Sequence, residues 1–92
     1  MALLSENEIE ESLSGLDGWS RAEDAITKDF KRDKFTGSVA FVNEVLPVAE
    51  DMGHHPDLAI SWDTVTVTIS THSEGGLTAS DFELAEKIDA LS

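Results

Sequence analysis

Apolar residues recur at three- and four-residue intervals in three stretches of the chain and at every second residue in two others. Ser5-Glu6-Asn7-Glu8 fits a capping box, with the hydroxyl and the Glu8 carboxylate each answering an orphan N–H. Leu4 staples onto Ile9, and Ile9, Leu13 and Leu16 form one stripe at helical spacing. Gly15 and Gly18 are stop signals, so the pattern predicts a helix over 6–16. Two short strands follow, over 19–23 and 25–32, with Ile26, Lys28 and Phe30 on one face. The strongest helical segment is 35–52. Phe35, Val39, Val42, Leu46 and Ala49 form one stripe, and Phe41, Val45, Val48 and Met52 a second beside it. Pro47 frees the carbonyl of Asn43 and predicts a kink; Gly53 suits the end of the helix. Leu58, Ile60 and Trp62, then Val65, Val67 and Ile69, alternate with small or polar residues and predict a hairpin. Glu74-Gly75-Gly76 is loop. Thr78 caps a last helix, with Asp81 three residues on, whose apolar face is Phe82, Ala85, Ile88 and Leu91.

The order is α-β-β-α-β-β-α. It implies an α+β, two-layer fold: a four-stranded antiparallel sheet with three helices on one face. The other sheet face, with Thr66, Thr68 and Ser70, meets solvent or another subunit. No linker, repeat or low-complexity segment interrupts the chain, so 1–92 reads as one domain.

Composition narrows the functions. The chain is 40% hydrophobic and 27% charged, with six Gly and two Pro, a globular balance. A chain this short buries a modest core, so self-association would add needed stability. Nineteen acidic residues against six basic give a net charge of -13. That argues against nucleic acid, whose phosphates need clustered Lys and Arg, and against an anionic membrane surface. The surplus also repels itself, and salt screens it, with a Debye length of about 3 Å at 1 M. The acidity thus reads as adaptation to a high-salt cytoplasm, against the plainer reading of an acidic soluble protein. No cysteine is present, which excludes disulfides, thiolate nucleophiles and cysteine-based zinc sites. Met1-Ala2-Leu3-Leu4 is too short for a signal core, and no apolar run reaches membrane-spanning length. Cytoplasmic residence is expected.

All three histidines lie around the predicted hairpin, as His54-His55-Pro56 before it and Thr71-His72 after it. A two-residue turn at Asp63-Thr64 sets Trp62 opposite Val65 and His55 opposite His72. Moving the turn by one residue sets His54 opposite His72 instead. Either register brings His72 beside the pair, since opposed residues sit about 4.5–5.5 Å apart. Histidine exchanges protons near neutral pH, so the cluster predicts an acid/base site.

The segments Glu50-Asp51-Met52-Gly53-His54-His55-Pro56-Asp57-Leu58, Val67-Thr68-Ile69-Ser70-Thr71-His72 and Gly76-Leu77-Thr78-Ala79-Ser80-Asp81 together resemble the pterin-4a-carbinolamine dehydratase family. Gly18-Trp19 and Phe35 through Phe41-Val42 resemble it too, so the similarity covers nearly the whole chain. The resemblance implies dehydration of 4a-hydroxytetrahydropterins, such as 4a-hydroxytetrahydrobiopterin, to the quinonoid dihydropterin in tetrahydrobiopterin recycling. It implies no metal and no redox cofactor, and a small-molecule pterin as partner. Its motif histidines fall on His54 and His72 as the acid/base pair. His55 falls in the catalytic set and, with Pro56, Glu50 and Thr71, in the substrate-binding set. Asp81 matches an active-site aspartate that orients a histidine. Three positions depart from the family pattern: Gly53 stands where many members carry Asp, Leu58 where some carry Trp, and Arg32 where the second strand usually has an aromatic, which would weaken strand packing.

Each of these residues also has a plainer reason to exist. His54 and His55 follow a helix C-terminus, where a cation meets the dipole favourably. Pro56 stops a helix, and Asp81 completes a capping box. Three His can hold zinc with an open position, but adjacent strand residues point to opposite faces, which separates His54 from His55. A rival from another class is a non-catalytic dimerisation or protein-binding module, since some family members bind a transcription factor through helix surface. The broad apolar face of 35–52 fits that reading, and fits a homodimer or homotetramer equally.

Overall fold

In a computed structural model, residues 2–91 are described; Met1 and Ser92, the two ends of the expected domain, lie outside them. The elements are α1 (Glu6–Ser14), β1 (Ser20–Ala22), β2 (Ala25–Lys31), α2 (Lys34–Met52), β3 (Asp57–Ser61), β4 (Thr64–Ile69) and α3 (Ala79–Asp89), with a 3-10 turn at His72–Glu74. The four strands form one antiparallel sheet in the order β1-β2-β4-β3, and the α+β order read from the pattern is the observed one.

Both predicted capping boxes form. At α1 the Ser5 N–H donates to Glu8 Oε1 at 2.8 Å, and the Glu8 N–H to Ser5 Oγ at 3.2 Å. At α3 Thr78 and Asp81 make the equivalent pair. α1 ends at Ser14, short of Leu16, as its first stop signal Gly15 dictates. α2 runs through Pro47 as a single element.

β4 carries the core on its alternating side chains: Val65, Val67 and Ile69 are fully buried. They pack with Ile26 and Phe30 of β2, Phe41 and Val45 of α2, Ile9 of α1, and Phe82, Leu84, Ala85 and Ile88 of α3. Covering each large aliphatic side chain here contributes about 1.5–3 kcal/mol. All three helices therefore press on one face. The opposite face is a ladder of hydroxyls, with Thr27 and Thr68 3.2 Å apart and Thr66 donating to Asp29 at 2.7 Å.

α2 packs its second predicted stripe on this core, together with Val42 and Ala49 of the first. Phe41 and Val45 are buried, together with Ser38 and Ala49, while Phe35, Val39 and Leu46 stay exposed. Arg32, where the family usually has an aromatic, lies against two rings of the core. Its guanidinium lies 4.9 Å from the Phe41 ring centre and 6.0 Å from that of Phe30, a cation–π cover over the end of the core.

The hairpin register corrects the sequence expectation. The turn is Trp62-Asp63, with Ser61 opposite Thr64 and Asp57 opposite Thr68. The observed turn lies one residue before the expected Asp63-Thr64, and neither expected pairing, His55 with His72 or His54 with His72, forms. The cause is tertiary. The Ser38 hydroxyl donates to the Trp62 carbonyl at 2.6 Å, and the Arg32 N–H donates to the Asp63 carbonyl at 2.6 Å. These bonds hold Trp62 at φ 49 in the turn and leave its side chain 67% exposed.

A second tie closes the far end of the sheet. Lys28 Nζ donates to Asp89 Oδ1 at 2.9 Å and to the Asp17 carbonyl at 2.8 Å, while Trp19 Nε1 donates to Asp89 Oδ2 at 3.0 Å. Arg21 of β1 pairs with Glu6 of α1, which raises the Arg21 pKa through that hydrogen bond. Among the described residues, no helix is long and apolar enough to cross a membrane.

Candidate active site

α2 must stop sharply for the histidines to turn toward the sheet. Gly53 supplies the stop at φ 62, in the left-handed region that glycine enters without cost. The Gly53 N–H donates to the Glu50 carbonyl at 3.2 Å and the His54 N–H to the Ala49 carbonyl at 3.1 Å, the two bonds of a Schellman motif. Aspartate also visits this conformation, so glycine in place of the family's Asp preserves the turn.

The turn sends the two adjacent histidines to different surroundings. His54 goes inward: its side chain is 15% exposed, and Nε2 sits 2.6 Å from Oδ1 of Asp81, which is fully buried. His55 goes outward: its side chain is 62% exposed, and Nε2 sits 2.5 Å from Oε2 of Glu50, one turn back on α2.

Asp81 is the hub. Its Oδ2 accepts the Thr71 hydroxyl at 2.9 Å and the Thr78 N–H at 2.8 Å. The Thr71 and Thr78 hydroxyls are 2.8 Å apart. A buried carboxylate is tolerated only when its oxygens find such donors, and this one has three partners.

His72 reaches the same region by a different route from the one expected. The β3–β4 ladder ends at the pair Asp57 and Thr68, so no histidine is a cross-strand partner of another. Instead Thr71 bridges to Gly76, and the chain curls through the short 3-10 turn from His72. His72 is therefore the residue next to Thr71, and Thr71 is joined through Asp81 to His54. The His72 ring is exposed and makes no hydrogen bond to any described residue. Pro56 is half-buried just before β3. Among the described residues, no three His, Cys, Asp or Glu side chains converge as a metal would need.

The structure thus brings His54, Asp81 and Thr71 into one hydrogen-bonded unit, puts His72 at its edge, and keeps His55 with Glu50 on the surface. The Thr71 hydroxyl, read from the sequence as a substrate contact, is turned inward to Asp81. Thr78 belongs to the unit as well; the sequence showed it only as a helix cap. A histidine on a buried carboxylate beside an exposed histidine is suited to moving two protons at one substrate.

The family model described as pterin 4 alpha carbinolamine dehydratase matches residues 2–91. A protein of Sulfolobus acidocaldarius provisionally named pterin-4-alpha-carbinolamine dehydratase is 47% identical over 88 residues, covering 96% of this chain and 97% of its own. One of Roseiflexus castenholzii with the same provisional name is 49% identical over 90 residues, covering 98% and 97%. The crystal structure of a transcriptional coactivator/pterin dehydratase from Brucella melitensis superposes with a TM-score of 0.92 at 37% identity, covering 98% of both chains. A pterin dehydratase-like protein identified as a RuBisCO assembly factor in the alpha-carboxysome shares the fold alone, with a TM-score of 0.68, 21% identity, and 80% and 88% coverage. Full-length identity at this level, together with a family model that matches residues 2–91, means that the chain belongs to the pterin-4-alpha-carbinolamine dehydratase family.

Proposed function

We propose that this chain dehydrates 4a-hydroxytetrahydropterins to quinonoid dihydropterins, in recycling of tetrahydrobiopterin, as a hydro-lyase that uses His54 and His72 as its acid/base pair. The bond from ring carbon 4a to its hydroxyl breaks as an acid protonates the leaving oxygen. A base takes the proton from ring nitrogen 5, whose electrons form the new double bond to carbon 4a. Water departs, no electrons are exchanged with a cofactor, and help of this kind contributes about 10²–10⁴-fold. The observation that carries the reading is His54 seated on buried Asp81 with His72 exposed one residue beyond Thr71. His55, Pro56 and Glu50 form the adjoining surface against which the pterin rests.

Stopped-flow absorbance of 4a-hydroxytetrahydropterin decay is the test. Acceleration by the protein that is lost in His54→Ala and His72→Ala supports the reading. Activity intact in both variants removes the acid/base assignment. No acceleration by folded protein moves the weight to a binding module, which the exposed Phe35, Val39 and Leu46 of α2 and the coactivator name of the Brucella relative favour.

The chain acts as a single-domain homodimer or homotetramer in a cytoplasm of high salt. The support is the exposed stripe on α2, the exposed Leu58 and Ile60 of edge strand β3, and the -13 charge. Light scattering at molar KCl is expected to give two or four chain masses; a monomer mass overturns this.

A further inference from the structure

Thr71 and Thr78 are buried, and their hydroxyls do nothing for the hydrophobic core. A hydroxyl has a single proton to give. Thr71 gives its proton to Asp81 Oδ2, so the 2.8 Å contact between the two threonines must be donated by Thr78. The Thr78 oxygen in turn receives the Asp81 backbone N–H within the capping box. The chain of bonds is therefore directed and closed: Asp81 N–H to Thr78, Thr78 to Thr71, Thr71 to Asp81 Oδ2. With the Thr78 N–H also on Oδ2, that oxygen is saturated, and Oδ1 is the one left to face His54.

We propose that Thr71 and Thr78 are positioning residues for the dehydration reaction. Their relay fixes Asp81 as an acceptor at Oδ1 and so fixes His54 as the tautomer protonated at Nε2. The nitrogen that exchanges a proton with substrate is then Nδ1. That nitrogen has no hydrogen-bond partner among the described residues, in a ring that keeps 15% exposure. Without the relay, Asp81 is free to rotate or to carry a proton on Oδ1, and the ring loses its single tautomer. Neither threonine touches substrate. The catalytic part of this inference rests on the dehydratase reading; the tautomer does not.

Long-range proton–nitrogen correlation spectra of the histidine rings, taken without substrate, test the tautomer directly. The wild type is expected to show His54 protonated at Nε2, and a ring protonated at Nδ1 alone overturns the proposal whatever any variant does. Thr71→Val keeps the shape and removes the hydroxyl. It is expected to mix the His54 tautomers and to lower kcat about tenfold with KM changed less than about twofold, the pattern of a residue acting only on the chemical step. Thr71→Ser restores the donor and is expected to return both readouts toward wild type. Thr71→Val with an unchanged spectrum and rate overturns the relay. A wild type with the expected spectrum but no turnover sinks the dehydratase reading and leaves the relay standing.

Discussion

Two histidine–carboxylate pairs sit at consecutive residues of the same turn, at nearly the same length: 2.6 Å for His54–Asp81 and 2.5 Å for His55–Glu50. They differ in everything around them. The first has a fully buried carboxylate held by two further donors; in the second both side chains are 62% exposed. Distance alone therefore ranks the pairs equal, and burial separates them. Water screens an exposed pair and competes for both partners, while a buried pair loses its whole hydrogen-bond network if one member goes.

The largest break is Asp81→Ala. It leaves the Thr71 hydroxyl, the Thr78 N–H and the His54 ring without their shared acceptor, and unfolding in urea is expected to show a loss of about 3 kcal/mol or more. A loss below about 1 kcal/mol would mean that the hub is not structural. Next comes His54→Ala, which spares the two threonine bonds. Stopped-flow decay is expected to slow by about 10²-fold or more while the melting temperature moves much less than in Asp81→Ala. The exposed pair responds least: Glu50→Gln is expected to change urea stability by under about 0.5 kcal/mol, and that change is expected to vanish in molar salt. Equal losses from Glu50→Gln and Asp81→Ala would erase the contrast.

Asp63, at the opposite end of the sheet, provides the smallest and sharpest comparison. Its hydrogen bond from Lys31, helped by the Thr64 hydroxyl, holds its carboxyl below the ordinary value of 3.8. A depressed folded-state pKa stabilises above the unfolded value and stops doing so as pH falls through the folded value. Lys31→Met removes the main cause. Stability curves of the two proteins are expected to differ above about pH 4 and to converge at lower pH. Curves that stay parallel down to acid would assign the effect of Lys31 to packing instead.

The element order and both capping boxes were legible because each rests on local spacing: Ser5 with Glu8, Thr78 with Asp81, Val65-Val67-Ile69 in alternation. The turn was not. Moving the hairpin register by two residues keeps every side chain on its face, so alternation cannot separate a turn at Asp63-Thr64 from one at Trp62-Asp63. Two bonds from distant elements, Ser38 and Arg32, decide it. Likewise both stripes of α2 are apolar, and the core takes the second with Val42 and Ala49 of the first while leaving Phe35, Val39 and Leu46 outside. At the site, the motifs picked out His54, His72 and Asp81. The inward direction of the Thr71 hydroxyl was hidden, because it depends on where a helix cap seven residues later comes to rest.

The chain's two tryptophans fall on opposite sides of this division between interior and surface. Trp19 is 7% exposed, its indole N–H bound to Asp89; Trp62 is 67% exposed, on the tip of the β3–β4 turn. Their emission is therefore separable. Acrylamide quenches Trp62 first and leaves a blue-shifted signal from Trp19, so in one cuvette the first reports what happens at the hairpin tip and the second whether α3 is still docked.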